Sequence, residues 1–118
     1  MPRTAAEWVQ LGRAYDTAGQ ADQAVAAFDM ALRLQPDADV VLLLRADVLV
    51  RSGRAEQALP DLQHLDASHP DTADVLLVLG LAQNRTGAPE AAATLRRFLE
   101  LDPGSPAAPG VRKLLDGG

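Results

Sequence analysis

The chain has no cysteine, so thiol catalysis is excluded and no disulfide pattern reports on its redox compartment. Histidine is almost as scarce. His64 and His69 are the only two, they flank a helix end before Pro70, and they do not share a helical face, which argues against a metal pair. Asp61 and Asp71 lie near them, but no serine or cysteine stands close by in a nucleophile-like turn. A basic stripe is missing too: 11 Lys and Arg face 16 Asp and Glu, for a net charge of −5, whereas phosphate binding needs an excess of cations. No glycine-rich phosphate loop or dinucleotide fingerprint surrounds any glycine. Long apolar runs are absent. The longest, Val40 to Leu44 and Val75 to Leu79, fall far short of the roughly 20 residues a membrane helix needs. The N-terminus lacks the apolar stretch of a secretory signal. These absences predict a soluble, cytoplasmic, non-enzymatic chain with no cofactor, no metal, no nucleic-acid partner and no membrane insertion. Ten arginines against one lysine and the lack of isoleucine are the composition of a GC-rich bacterial genome.

What the chain does have is a period. Gly19, Gly53 and Gly87 stand 34 residues apart, and aligning on them superposes Ala24 with Ala58, Pro36 with Pro70, and Gly12 with Ala46 and Gly80. A fixed period of this size marks a stacked-repeat architecture. The excess of Ala and Leu over the 3% aromatics favours closely spaced helices. Thr4 to Glu7 reads as a capping box that opens a first helix, along which Trp8, Leu11, Gly12 and Tyr15 recur at i, i+3, i+4 and i+7. Gly19 ends it, since glycine accepts a left-handed backbone. A second helix from about Ala21 carries Ala24, Phe28, Ala31 and Leu32 on one face and stops before Pro36.

The same unit recurs twice. Asp39 or its neighbours start a third helix with Leu42, Ala46 and Leu49, and a fourth runs from about Ala55 to Leu65. Pro60 inside it is expected to kink or delay it. Asp71 and Thr72 are candidate caps for a fifth helix with Leu76, Leu79 and Gly80. The sixth is expected from Pro89, a favoured residue at a first helical position, to about Leu101. Here the unit is one residue shorter, and the deletion is placed in the turn. Gln83 replaces Tyr15 in the third copy, which predicts a more solvated end. Val111, Leu114 and Leu115 suit a short helix over about 107–116 that covers the last apolar face.

With Trp8, Leu11, Gly12, Tyr15, Ala24, Phe28, Ala31 and Pro36 at their spacing, the chain resembles a tetratricopeptide repeat protein over nearly all its length. Repeats fall at about 5–38, 39–72 and 73–106 within one domain spanning 1–118. The resemblance implies an all-α, right-handed superhelical solenoid of three antiparallel helix pairs with a C-terminal capping helix. It further implies that the first helix of each pair lines a concave groove.

On those helices the residues left over from the core form equivalent sets: Val9, Arg13, Asp16 and Thr17; Leu43, Asp47, Val50 and Arg51; Leu77, Leu81, Asn84 and Arg85. Each follows i, i+4, i+7, i+8 and so occupies one helical face. Stacked, they give an apolar strip with a charged border, suited to an extended peptide or an amphipathic helix. The plainer alternative is that Leu43 and Leu77 are core and that Arg13, Asp47, Arg51 and Arg85 are ordinary solvated charges. One subtype of the family grips a C-terminal carboxylate with Lys and Asn. Here Val9, Arg13, Leu43 and Leu77 occupy the corresponding area, so that clamp is not present in its usual form. The expected function is therefore a non-catalytic scaffold or adaptor for a protein or peptide partner. A self-associating structural module and a regulatory segment of a larger enzyme complex are the alternatives.

Overall fold

A computed structural model describes residues 1–117. It is built of seven helices: α1 (Ala5–Thr17), α2 (Ala21–Leu34), α3 (Asp39–Arg51), α4 (Ala55–Ser68), α5 (Ala73–Thr86), α6 (Ala91–Leu101) and α7 (Ala108–Leu115). No strand occurs among the described residues. Three hairpins, α1–α2, α3–α4 and α5–α6, stack in series, with α2 docked on α3, α4 on α5, and α3 also touching α5. The array measures 46 × 28 × 26 Å. Its radius of gyration of 14.5 Å exceeds the roughly 13.5 Å of a compact chain of this length, as stacking along one axis requires.

Each hairpin turns in the same way. Gly19, Gly53 and Gly87 take φ of 77°, 83° and 75°, the left-handed region where a side chain would be strained. The residue after each glycine donates its N–H back into the helix, from Gln20 to Tyr15 O (2.9 Å), Arg54 to Leu49 O (2.7 Å) and Ala88 to Gln83 O (2.9 Å). This is the 6→1 bond of a Schellman motif, which satisfies carbonyls left over at a helix end. The repeated glycine is thus a repeated backbone requirement.

The close approach of paired helices is the second repeated device. A Cβ on Gly12 would lie 2.5 Å from Phe28 Cε1, and one on Gly80 would lie 2.4 Å from Leu95 Cδ2. Phe28 joins Ala24, Ala31, Val41 and Val48 in the first core cluster. Ala46, Leu49, Ala58 and Leu62 form the second. The third cluster consists of Leu76, Leu95 and Phe98, closed off by Val111 of α7.

Several local expectations are corrected. Helix α6 begins at Ala91, not Pro89; residues 88–90 form a turn in which Ala91 N–H donates to Ala88 O (3.2 Å). Ala91 matches Ala24 in register, so the missing residue falls between Gly87 and Ala91, in the turn as expected, and α6 in addition lacks the first turn that α2 has. Pro60 does not delay α4, which starts in phase with α2 and has the same 14 residues. The carbonyl that Pro60 leaves without a donor is that of Glu56, and both residues are solvent-exposed. Thr72 occupies the N-cap position of α5, but its hydroxyl donates to His69 O (2.9 Å) rather than capping. Asp71 adopts φ 63° and pairs with Arg97.

Gln83 is 7% exposed, so the third copy is not the solvated end. Helix α5 is enclosed by α3, α4 and α6, whereas α1 has no hairpin before it. Tyr15, at the equivalent position on α1, is accordingly only half-buried.

The capping box of α1 is present as expected. Glu7 N–H donates to Thr4 Oγ1 (3.2 Å) and Thr4 N–H donates to Glu7 Oε1 (3.1 Å). The Thr4 hydroxyl, followed by the Arg3 and Thr4 N–H groups, holds the Glu7 carboxyl below the usual carboxylate range. A folded-state pKa lowered in this way gives stability that is complete above the ordinary glutamate value and lost as pH falls through the lowered one. Glu7→Gln is therefore expected to flatten the acid side of a stability–pH profile in that window. Thr4→Ala is expected to lower stability by about 0.5–2 kcal/mol in urea denaturation.

Candidate functional site

Of the anticipated groove residues, Arg13 of α1, Leu43 and Asp47 of α3 and Leu77 of α5 come together along one wall, lining a single cavity, and the set as a whole is unevenly exposed. Val9, Leu43, Leu77 and Leu81 are half-buried, with one side against the core clusters. Arg13, Thr17 and Asn84 are exposed. Val50 is not a surface residue at all: it is 1% exposed and packs in the core with Ala46 and Leu49. Arg85, from the next repeat, donates to its carbonyl at 2.7 Å, so the C-terminal end of α3 is closed over by α5.

The charged border is largely tied up within the chain. Arg51 Nη2 donates to Asp16 Oδ2 (2.9 Å) on α1, and its Nε donates to Asp47 Oδ2 (3.1 Å) one turn earlier on α3. The bond to Asp16 raises the Arg51 pKa above the usual arginine value. Partial burial opposes this, and Asp47 adds to it. Exposed pairs of this kind contribute little stability, on the order of 0–1 kcal/mol, but they fix the orientation of the side chains.

On the opposite wall Arg45 bridges α2, α3 and α4 by donating to Asp29 Oδ1 (2.6 Å) and to Asp61. Burial pushes the Arg45 pKa down, but the two carboxylates outweigh it and hold the group above its ordinary value. This bridge was not foreseen from the sequence, although Asp29, Arg45 and Asp61 are evenly spaced, 16 residues apart.

The open part of the wall lies toward the N-terminal ends of α3 and α5. A shallow cavity of about 380 Å³ has Val40, Leu43 and Leu44 of α3 and Leu77 and Val78 of α5 as its floor. Arg13 of α1, Asp47 and Asp74 stand at its edges. A second cavity of about 400 Å³ adjoins it, shares Val40, Leu43 and Asp74, and adds Asp39, Val75 and His69. His69 Nε2 and Asp39 Oδ2 are hydrogen-bonded at 2.6 Å, which joins the end of α4 to the start of α3.

Val40 is the most exposed part of the floor, at 68%. Neither Val40 nor Asp74 was among the anticipated site residues. Their signal was available: they are 34 residues apart, and each precedes an anticipated leucine by three. A polar cavity of about 410 Å³ at the Gly53 turn, against Arg85 and Thr86, has no comparable apolar floor. Among the described residues no three His, Asp or Glu side chains are grouped as a metal site. No helix among them is long and apolar enough to cross a membrane.

Comparison with known proteins bears on the fold. By sequence alone, no curated protein matches the chain. Among solved structures, a MamA structure from Desulfovibrio magneticus RS-1 superposes with a TM-score of 0.82 at 24% identity, covering 95% of this chain and 66% of its own. The chain thus spans just under two thirds of that protein's length. The Arabidopsis OM64 tetratricopeptide domain gives a TM-score of 0.84 at 23% identity, covering 96% and 94% of the two chains. The first tetratricopeptide domain of Spaghetti (RPAP3), solved bound to the HSP90 peptide SRMEEVD, gives 0.82 at 22% identity, covering 97% and 94%. At these identities the likeness establishes the fold. Family models described as tetratricopeptide repeat match residues 43–106 and 5–48. With three in-phase helical hairpins, the shared glycine turns and matches that together span most of its length, this chain belongs to the tetratricopeptide repeat family.

Proposed function

We propose that the chain is a non-catalytic protein-interaction module that holds a segment of another polypeptide against α1, α3 and α5. The observation that carries this reading is the exposed apolar floor made by Val40, Leu43 and Leu77, which two successive repeats share and charged side chains border. An apolar strip of this form accepts alternate side chains of an extended segment or one face of a helix. A tetratricopeptide domain of the same fold has been solved with a peptide bound, which is consistent with the reading.

The test uses Val40, because its exposure separates binding from folding. Leu43 and Leu77 are half-buried against the core, so an aspartate there loses stability as well. Val40→Asp is expected to weaken binding of peptides selected on the wild-type protein from a displayed random library by about tenfold or more, the loss of one central apolar contact. Its melting temperature is expected to stay close to the wild-type value. Selected peptides whose affinity is indifferent to Val40→Asp would place the interaction surface elsewhere.

A further inference from the structure

We propose that the segment held here is cationic as well as apolar, with a Lys or Arg pairing with Asp74 while an adjacent apolar side chain rests on Val40 and Leu43. This rests on the groove reading above and specifies the chemistry of its occupant.

The argument is an accounting of charge. Three carboxylates face the two adjoining cavities: Asp39, Asp47 and Asp74. Asp39 is hydrogen-bonded to His69 (2.6 Å) and Asp47 to Arg51 (3.1 Å). Asp74 is exposed, lines both cavities beside Val40 and Leu43, and has no ion-pair partner among the described residues. Of the groove arginines, Arg51 divides its single charge between Asp16 and Asp47, and Arg85 turns toward the Val50 carbonyl. Only Arg13 brings an unpaired positive charge to the cavity edge.

Three lining carboxylates against one lining arginine leave the open trough negative, on a chain whose net charge is −5. Such a field draws cations in and disfavours carboxylates. Its apolar floor strengthens the pairing by keeping water from one side. An acidic peptide such as SRMEEVD, carried by the Spaghetti domain, would here set carboxylates against Asp74.

Asp74 also lies in the first turn of α5, where a carboxylate complements the helix dipole. A role confined to the dipole changes melting and leaves the choice of ligand unaltered, so ligand choice is the decisive readout. A phage-displayed random peptide library is selected in parallel on the wild-type protein and on Asp74→Lys. The wild type is expected to enrich Lys or Arg next to Leu, Phe or Trp, and Asp74→Lys to lose that enrichment or exchange it for Asp and Glu.

For one synthetic peptide from the wild-type pool, Asp74→Asn is expected to weaken binding by about tenfold, the loss of one charge-assisted hydrogen bond. Added salt is expected to weaken it further in the wild type than in the variant. If Asp74→Lys proves poorly folded by circular dichroism, Asp74→Asn decides alone. Enrichment of acidic residues, or a basic preference that survives both Asp74 variants, overturns the assigned chemistry. Where those same peptides still depend on Val40, the groove reading stands. Peptides indifferent to Val40 overturn both.

Discussion

Replacing Phe28 by alanine lowers the stability of this protein by about 3–5 kcal/mol, the range for deleting a fully buried aromatic ring. Phe28 is 1% exposed and lies at the centre of the first core cluster, between α1, α2 and α3. Domains of this kind have on the order of 5–15 kcal/mol of stability in total, so one substitution removes about a fifth of it at least. Urea denaturation should show the midpoint falling with little change in slope; a loss below about 1 kcal/mol would mean that the cluster relaxes into the vacated space. The size of the effect follows from Gly12. Because the ring fills the room that a side chain on Gly12 would need, no neighbour on α1 can move into the cavity without bending its helix.

The same contact predicts the sign of a coupling. Alanine at Gly12 gains roughly 0.5–1 kcal/mol of helix propensity but places its Cβ 2.5 Å from the Phe28 ring, and overpacking of that kind costs roughly 1–3 kcal/mol. The single Gly12→Ala variant is therefore expected to be less stable than wild type. On a Phe28→Ala background the clash is gone and only the propensity gain remains, so the same change becomes stabilising. A double-mutant cycle measures this reversal directly. Additive effects would mean that the ring and the glycine are not in the contact described.

Much of the fold was legible because its constraints are local and repeat. Glycines with φ near 80° must recur wherever the hairpin turns, and a small residue must recur wherever a large one presses on the facing helix. The candidate site was less legible, and Val40 and Val50 show why. Both lie on α3 near the face of Leu43, Val40 about 60° to one side of it and Val50 about 20° to the other. Val40, at 68% exposure, sits at the margin of that face, but Leu43 and Val50 share a direction and differ in height along the helix, the one half-buried and the other 1% exposed. Near Val50 the neighbouring helix closes in and Arg85 reaches its carbonyl, while at Val40 the wall stays open.

A periodicity records which face a residue occupies, but the inclination of one helix to the next decides which end of that face stays open. Gln83 was misread for a related reason. Its polarity suggested solvent, yet this position of α5 faces the helices packed around it whatever residue occupies it. Arg45 could be matched to Asp29 and Asp61 only once α2 and α4 were known to flank α3 on that side.

Val111→Asp is expected to convert a capped solenoid end into an adhesive one. Val111 is 2% exposed and, with Leu115, covers the apolar surface of Leu76, Leu95 and Phe98. That cluster is wholly apolar and offers a carboxylate no cation, and burying one costs more than the roughly 1.5–3 kcal/mol that Val111 contributes by being covered. Helix α7 is only 8 residues long and is attached along one face, so it detaches instead, and its docking energy sets the upper limit of the loss. The uncovered ends then associate, because a stacked-repeat array needs a polar outer face to remain dispersed. Sedimentation should give a weight-average mass for Val111→Asp that rises with concentration, while Val111→Ala, which keeps the helix docked over a small void, should not. If the wild-type protein already shows the same rise, self-association proceeds through a surface other than this end, and α7 is not what keeps the chains apart.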